Sequence, residues 1–293
     1  MQYHILGTSN LKVSAISFGC MSLEQDQGQN SHLIQKAFER GINLFDTADL
    51  YDKGNNEISV GKAIRDFRKD VILATKVGNQ WKPDGSGWDW NPRKDYILRA
   101  VEGSLRRLGT DYIDLYQLHG GTIEDPIDET IEAFEQLKAE GKIREYGISS
   151  IRPNVISKYV DRSNIVSVMM QYSLLDRRPE EACLDLLAKN KISVLTRGTL
   201  AKGLLINKPA REYLSYSEAQ VTKMQKALAA NGKALATALH YVWQHPAVAS
   251  AVVGIRTVQQ LEDINAAQPI KVTPSRLKDL AKVLLPNIYS QHR

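Results

Sequence analysis

The chain runs to 293 residues, 43% hydrophobic and 24% charged, ordinary values for a water-soluble globular protein with a sizeable core. Its 38 basic and 33 acidic residues leave a net charge of +5 spread along the chain without a Lys/Arg-rich run, which argues against nucleic acid or membrane as partner and suits an anionic small ligand. Cys20 and Cys183 are the only cysteines, no basic-then-apolar leader opens the chain, and no apolar run is long enough to span a bilayer. The expectation is a reduced, cytoplasmic protein without disulfides or a thiolate metal site.

In chain order, "YHILG" and "LKVSA" flank a turn at Thr8–Asn10 and predict a hairpin. Short apolar runs then alternate with amphipathic patterns. Strands are expected at Ala15–Phe18, Asn43–Asp46, Val71–Lys76, Ile113–His119, Glu145–Ser149, Val168–Gln171, Ser193–Thr196 and Ser250–Val253. Helices are expected near His32–Arg40, Glu57–Phe67, Arg93–Leu108, Ile127–Ala139, Asn154–Val160, Pro179–Asn190, Ala234–Gln244 and Val258–Ala266, with Gly41 and Gly141 just past two of their ends. Eight strands apolar on both faces, each followed by a helix, imply a parallel sheet covered by helices, and eight such units close into a barrel. The expected fold class is therefore α/β, a (β/α)8 TIM barrel with an N-terminal β-hairpin at its bottom and an additional C-terminal helix over 272–285. No linker splits the chain, so residues 1–293 are expected to form a single domain. Two stretches read as long irregular loops, 79–91 with three of the four tryptophans and 199–218, and loops of that length usually bind or cover ligands.

In such a barrel the site forms at the carboxyl ends of the strands. The polar residues there are Asp46 and Tyr51 after strand two, Lys76 on strand three, His119 on strand four, Ser149 and Ser150 on strand five, Gln171 on strand six and Arg197 after strand seven. Wet strand ends explain some of them, but not a lysine inside "VILATKV", which costs several kcal/mol unless a counter-ion is near. Asp46 is the natural partner, and the pair alone would also fit a structural tie between strands. Tyr51 changes the balance. A phenol is a poor acid at neutral pH, a lysine cation beside one favours the phenolate, and a histidine opposite can orient a substrate oxygen. The four together make a site that protonates an oxygen as charge builds on it, as hydride addition to a carbonyl requires.

A hydride needs a donor, and the chain has no G-x-G-x-x-G after a strand and no Walker loop. A nicotinamide cofactor would lie across the barrel mouth. Gln171 with Ser149 or Ser150 can hold its carboxamide, and the loop after strand seven and the helix start after strand eight can meet its phosphates. Gly254 sits at that last turn, and Arg256 beside it suits a 2′-phosphate or is simply a solvated residue.

"FDTADLY", "ILATKVG", "DYIDLYQLHG", "GKIREYGIS", "MMQYSLLDRR" and "VVGIRTVQQLED" resemble, in the same order, the blocks of the aldo-keto reductase family, in its bacterial branch similar to the potassium-channel β subunits. The resemblance implies NADPH-dependent reduction of aldehydes and ketones, with Asp46, Tyr51, Lys76 and His119 as catalytic tetrad, Ser149 and Gln171 on the carboxamide, Arg256 on the 2′-phosphate, and Gly19, Cys20 and Met21 beside the nicotinamide. Further cofactor contacts are expected from Ser150, from Arg197, Gly198, Leu200 and Lys202 after strand seven, and from Gly254, Gln260 and Asp263 around strand eight. The chain departs from the family at Ser150, where an asparagine is common, at Arg197, where an aromatic residue often stacks on the nicotinamide, and at Asp263-Ile264, where Glu-Asn usually grips adenine. NADPH or NADP+ is the expected cofactor, with NADH less favoured, and a small carbonyl compound the expected partner; the state of assembly is undetermined. Two other readings stay open: a non-catalytic NADPH-sensing subunit, and a Schiff-base lyase using Lys76. Trp81, Trp88 and Trp90 either line the substrate entrance or pack beneath the loop. Glu57 reads as a helix-start cap, and the remaining histidines show no metal-ligand spacing.

Overall fold

The computed structural model describes residues 1–230 and 232–293. In chain order it holds β1 (Tyr3–Ile5), β2 (Lys12–Ser14), β3 (Ile16–Gly19), α1 (Gln27–Glu39), β4 (Leu44–Asp46), α2 (Asn55–Ile64), β5 (Ile72–Val77), β6 (Asn79–Trp81), β7 (Trp88–Trp90), α3 (Lys94–Leu108) and β8 (Ile113–Leu118). There follow α4 (Ile127–Ala139), β9 (Ile143–Ser149), α5 (Pro153–Arg162), β10 (Ser167–Gln171), α6 (Cys183–Lys189), β11 (Ser193–Arg197), α7 (Glu218–Ala229), α8 (Ala234–Trp243), β12 (Val248–Gly254), α9 (Val258–Ala267) and α10 (Pro274–Ala281). The eight strands β3, β4, β5, β8, β9, β10, β11 and β12 close in sequence order into a parallel barrel, and helices surround it. The fold is the (β/α)8 barrel that the alternation of patterns predicts.

Strand periodicity decides which side chains face inward. Leu44 on β4, Ile72 and Ala74 on β5, Leu115 on β8, Met169 on β10, Leu195 on β11 and Val252 on β12 form the packed interior. Their strand neighbours Phe45, Leu73, Val77, Tyr116 and Leu118 belong to the larger core between barrel and helices. The antiparallel pair β1–β2 supplies Leu6, Leu11 and Val13 to the inner cluster from below. Gly7 N–H donates to Ser193 Oγ at 2.7 Å and His4 Nδ1 meets the Ala249 carbonyl at 2.7 Å, both near the starts of their strands. The hairpin thus plugs the bottom, and the ends of the strands at the other face are left to build a site.

The structure corrects several expectations. Residues 79–91 are not irregular: β6 and β7 pair as a small antiparallel hairpin, Asn79 with Trp90 and Trp81 with Trp88. The run after β11 is followed by α7, which the sequence pattern does not suggest although a start signal is present there: Ser217 and Gln220 form a reciprocal capping box. α1 begins at Gln27, ahead of the expected His32, because Asp26 caps it by accepting from Gln29 N–H. The helix expected over Glu57–Phe67 gives way after Ile64 to a 3-10 turn over Arg65–Asp70. The one expected over Pro179–Asn190 is broken by Ala182, at φ −156°, into a turn and α6. The C-terminal helix is shorter than 272–285, starting at Pro274 behind the Thr273 cap and ending at Ala281. Strand β8 stops at Leu118, so His119 follows it, whereas Arg197 is the last residue of β11.

Glu57 is not the expected cap, since no side chain caps the start of α2. Wholly buried, it accepts from Thr75 Oγ1 at 2.6 Å and pairs with Arg107 at 2.6 Å, tying α2 to both β5 and α3. Gly61 sits where α2 and α3 touch backbone to backbone, since a Cβ there would lie 2.2 Å from the Leu108 carbonyl oxygen.

Candidate active site

The inward phase of β4, β5 and β8 ends in Asp46, Lys76 and Gln117, one layer above Leu44, Ala74 and Leu115. His119 is the next inward position after Gln117. Tyr51 arrives from a turn that the backbone forces into an unusual shape: Asp52 (φ 48°), Lys53 (φ 53°) and Gly54 (φ 88°) are all left-handed. Non-glycine residues accept that conformation at a cost of order 1 kcal/mol or more, least for Asp and Asn. Part of the compensation is visible, because Lys53 Nζ donates to the Gly85 carbonyl at 3.2 Å and lies 5.3 Å from the centre of the Trp81 ring.

Lys76 is fully buried, and its ammonium has three acceptors for its three protons. Nζ donates to Asp46 Oδ2 at 2.8 Å, to the Thr47 carbonyl at 2.7 Å and to Tyr51 Oη at 3.5 Å. Burial alone would lower its pKa, but the Asp46 carboxylate and the Tyr51 phenol override it and hold the lysine above its ordinary value. Burial raises the Asp46 carboxyl, against the pull of Lys76, Gln117 and Arg197. The His119 ring meets the Tyr51 ring edge-on, centroids 5.7 Å apart. Burial, with Lys76 and Arg197 adding to it, pushes His119 down to about 3, and its Nδ1 is enclosed without a partner. A neutral imidazole there donates from one nitrogen only. Asp46, Lys76, Tyr51 and His119 are therefore brought together at one end of the barrel.

The depressed histidine has a stability consequence. The unfolded chain takes up a proton near pH 6.5 that the folded protein refuses until about 3, so stability falls as pH drops through that window. Urea midpoints at pH 7 and 4.5 are expected to differ less for His119→Gln than for the parent.

The expected cofactor contacts occupy the complementary arc from β9 round to β3. Gly19 and Gly254 are register partners on adjacent strands. Ser22 Oγ bonds the carbonyls of Gly19 and Ile255 at 3.2 and 3.1 Å, joining the segment with Cys20 and Met21 to the end of β12. Gln171 is held at both ends of its amide, accepting from Arg197 at 3.0 Å and donating to Tyr213 Oη at 3.0 Å, while Gly198 (φ 67°) leaves room for its stem. Ser150 Oγ accepts from Arg152 N–H at 3.2 Å at the start of α5, which leaves Ser149 as the serine of the pair without such a bond. Beyond β11 the chain is again left-handed at Ala201 and Lys202 (φ 47° and 58°), next to Leu200. Gln260 Oε1 accepts from Arg256 N–H at 2.9 Å and so shapes the turn, while the Asp263 carboxylate accepts from Gln259 at 2.8 Å on the outside of α9. Arg197, Lys202 and Arg256 are exposed, and among the described residues none of them forms an ion pair. Arg256 stands just ahead of α9, with Arg197 at the end of β11 and Lys202 in the turn that follows it, and cations without ion pairs at these positions fit a diphosphate-bearing cofactor.

The sequence profile of the Aldo/keto reductase family matches residues 15–284. The chain belongs to the aldo-keto reductase family. The Bacillus subtilis (strain 168) protein named uncharacterized oxidoreductase YqkF is 52% identical over 306 residues, covering 100% of each chain. The holo form of the aldo-keto reductase AKR11C1 from Bacillus halodurans superposes with a TM-score of 0.97 at 49% identity, over 100% of this chain and 99% of that one. The NADH-specific methylglyoxal reductase of Escherichia coli (strain K12) is 33% identical over 229 residues, 71% of this chain and 70% of that protein. Membership makes this chain an oxidoreductase of carbonyl compounds, in a family that uses a nicotinamide cofactor. Among its described residues no helix is long and apolar enough to cross a membrane.

Sequence reasoning missed two residues of this aldo-keto reductase's site. Gln117 Nε2 reaches Asp46 Oδ1 at 3.4 Å, so each carboxylate oxygen has a donor. Its signal is the period of two that puts Gln117 on the face of His119 in "YQLHG". Asn56, buried, accepts from Thr47 Oγ1 at 2.6 Å and donates to the Cys20 carbonyl at 2.8 Å, bracing the Lys76 acceptor against the Gly19–Met21 segment. Asp49, from the same acidic stretch as Asp46, faces Glu57 and Arg107 behind the strand, where burial and the Glu57 charge push it up to about 8. The tryptophans divide. Trp90 packs across Gly78 and Gly120 and donates to Asp125 at 3.0 Å, a structural post, whereas Trp88 is 48% exposed.

Proposed function

We propose that the protein reduces small aldehydes or ketones to alcohols with NADPH, and that Tyr51 is the general acid. The single observation that carries this is the buried Lys76 ammonium, with donors directed to Asp46, the Thr47 carbonyl and the Tyr51 hydroxyl. A nicotinamide held at the barrel mouth would supply the hydride that the carbonyl carbon takes up. Tyr51 gives its proton to the carbonyl oxygen as charge builds there, and the phenolate left behind faces the Lys76 ammonium. Asp46 keeps that lysine charged and aimed, and Gln117 keeps Asp46 in place. Neutral His119 orients the carbonyl by hydrogen bonding. The same ion pair speaks against a Schiff-base role for Lys76, which requires a neutral amine.

Ser149 and Gln171 are assigned to the carboxamide, Arg197 and Lys202 to the phosphates, and Arg256 to a 2′-phosphate. The name of the Escherichia coli relative points to NADH, so the preference rests on Arg256, a free guanidinium at the end of β12. Fluorescence titration is expected to give tighter binding of NADPH than of NADH by about tenfold, one good charged contact. Arg256→Gln should remove most of that difference. Equal affinities in the parent protein would overturn the NADPH assignment and leave the reductase reading standing.

A further inference from the structure

Gln171 closes β10, and both ends of its amide are engaged. Arg197 Nη1 donates to Oε1 at 3.0 Å, and Nε2 donates to Tyr213 Oη at 3.0 Å. A guanidinium has only donors, so the amide turns its oxygen to Arg197 and its nitrogen to Tyr213. These two partners fix which way the amide faces. Each of its atoms keeps one free place, a lone pair on Oε1 and a proton on Nε2. A carboxamide offers the matching acceptor and donor.

Tyr213 is itself held from behind. It lies between β11 and α7, where its backbone exchanges two hydrogen bonds with Tyr216, both 3.0 Å, around Leu214 and Ser215. Leu214 is left-handed (φ 52°) and 43% exposed, a conformation that a leucine keeps only where its surroundings impose it. Those surroundings come from the C-terminal segment. Buried Tyr216 donates through Oη to the Leu285 carbonyl at 2.9 Å and accepts there from Asn287 N–H at 3.1 Å. Asn287 Oδ1 accepts in turn from Arg177 N–H at 2.7 Å, and Arg177 Nη1 donates to the Ala281 carbonyl at 2.7 Å. Arg177 belongs to the connection that leaves β10 after Gln171. The segment behind α10 therefore ties the Tyr213–Tyr216 turn to that connection.

We propose that Tyr213 is a positioning residue for the nicotinamide: its hydroxyl holds the Gln171 amide in the orientation that meets the carboxamide, and residues 285–287 hold Tyr213 in place through Tyr216. The proposal rests on the assignment of Gln171 to the carboxamide. Burial raises the Tyr213 phenol above its ordinary pKa, so the group that accepts from Gln171 is a neutral hydroxyl.

The test compares NADPH with 2′-phospho-ADP-ribose, which has the same adenosine and diphosphate but no nicotinamide, by titration calorimetry. Tyr213→Phe keeps the ring and loses the bond. It should bind NADPH about fivefold more weakly, one neutral hydrogen bond, and 2′-phospho-ADP-ribose as the parent does. Tyr216→Phe, which frees the turn from the C-terminal segment, should show the same selective loss. Gln171→Ala should also lose affinity for NADPH alone. Adding Tyr213→Phe to it should cost nothing further, because the hydroxyl acts through the amide. NADH and ADP-ribose form a second pair that keeps the comparison independent of the 2′-phosphate. Unchanged NADPH affinity in Tyr213→Phe, equal weakening of both ligands, or additive losses in the double variant overturns the proposal while the assignment of Gln171 survives. A Tyr216→Phe protein that matches the parent strikes residues 285–287 from it. Gln171→Ala binding NADPH like the parent sinks both the proposal and the assignment.

Discussion

Tyr51→Phe is expected to bind NADPH as the parent does yet oxidise it with a model aldehyde about 10²–10⁴ times more slowly, the usual loss when a general acid is removed. The substitution is nearly silent structurally. The ring that meets His119 edge-on at 5.7 Å stays, as does the Lys76 ammonium 5.1 Å from its centre. Lys76 keeps its two shorter bonds, to Asp46 and to the Thr47 carbonyl, and loses only the one at 3.5 Å. Fluorescence titration checks binding and single-turnover kinetics checks the chemistry. A Tyr51→Phe protein with the parent's single-turnover rate would remove Tyr51 from the reaction.

The second large effect concerns stability as well as rate. Lys76→Met leaves the buried Asp46 carboxylate with only the weak Gln117 bond, and an orphaned buried charge costs on the order of 3–5 kcal/mol. The double variant Asp46→Asn/Lys76→Met removes both charges and should recover most of that loss in urea unfolding, because a buried pair is often dispensable to the fold. It should recover none of the activity. This contrast separates the two meanings of the pair: a strand tie that served only the fold would give a double variant with near-normal turnover. It would also give a single variant that regained activity in step with its stability at lower temperature.

How much of the molecule is legible in its sequence follows from which forces act locally. The eight barrel strands lie within a few residues of their expected positions because burial on both faces demands continuous apolar runs, and a lysine inside one of them stands out. "VILATKV" thus exposes both a strand and Lys76. The hairpin β6–β7 is hidden because its partners are tryptophans and polar residues anchored from outside: Lys53 on Trp81, Asp125 on Trp90. The helix α7 is hidden by a long lead-in with neither a helical nor a strand period, although its capping box is readable. Gln117 and Asn56 escape for another reason. An amide says nothing about its partners until the chain has brought them within 3.5 Å, and theirs lie on other elements. Nor does the sequence announce that Asp52 and Lys53 are left-handed, since nothing but tertiary contacts holds a lysine there.

Asn56 fastens the turn around Lys76 to the loop beside Gly19, and this has a wider consequence. The two rims of the mouth are braced to each other in the folded chain itself. The charged groups then need not be gathered anew for each encounter, because their reorganisation is completed once, when the protein folds. For an enzyme so built, the expectation is that ligand traffic in and out of the mouth, rather than the chemical step, limits throughput.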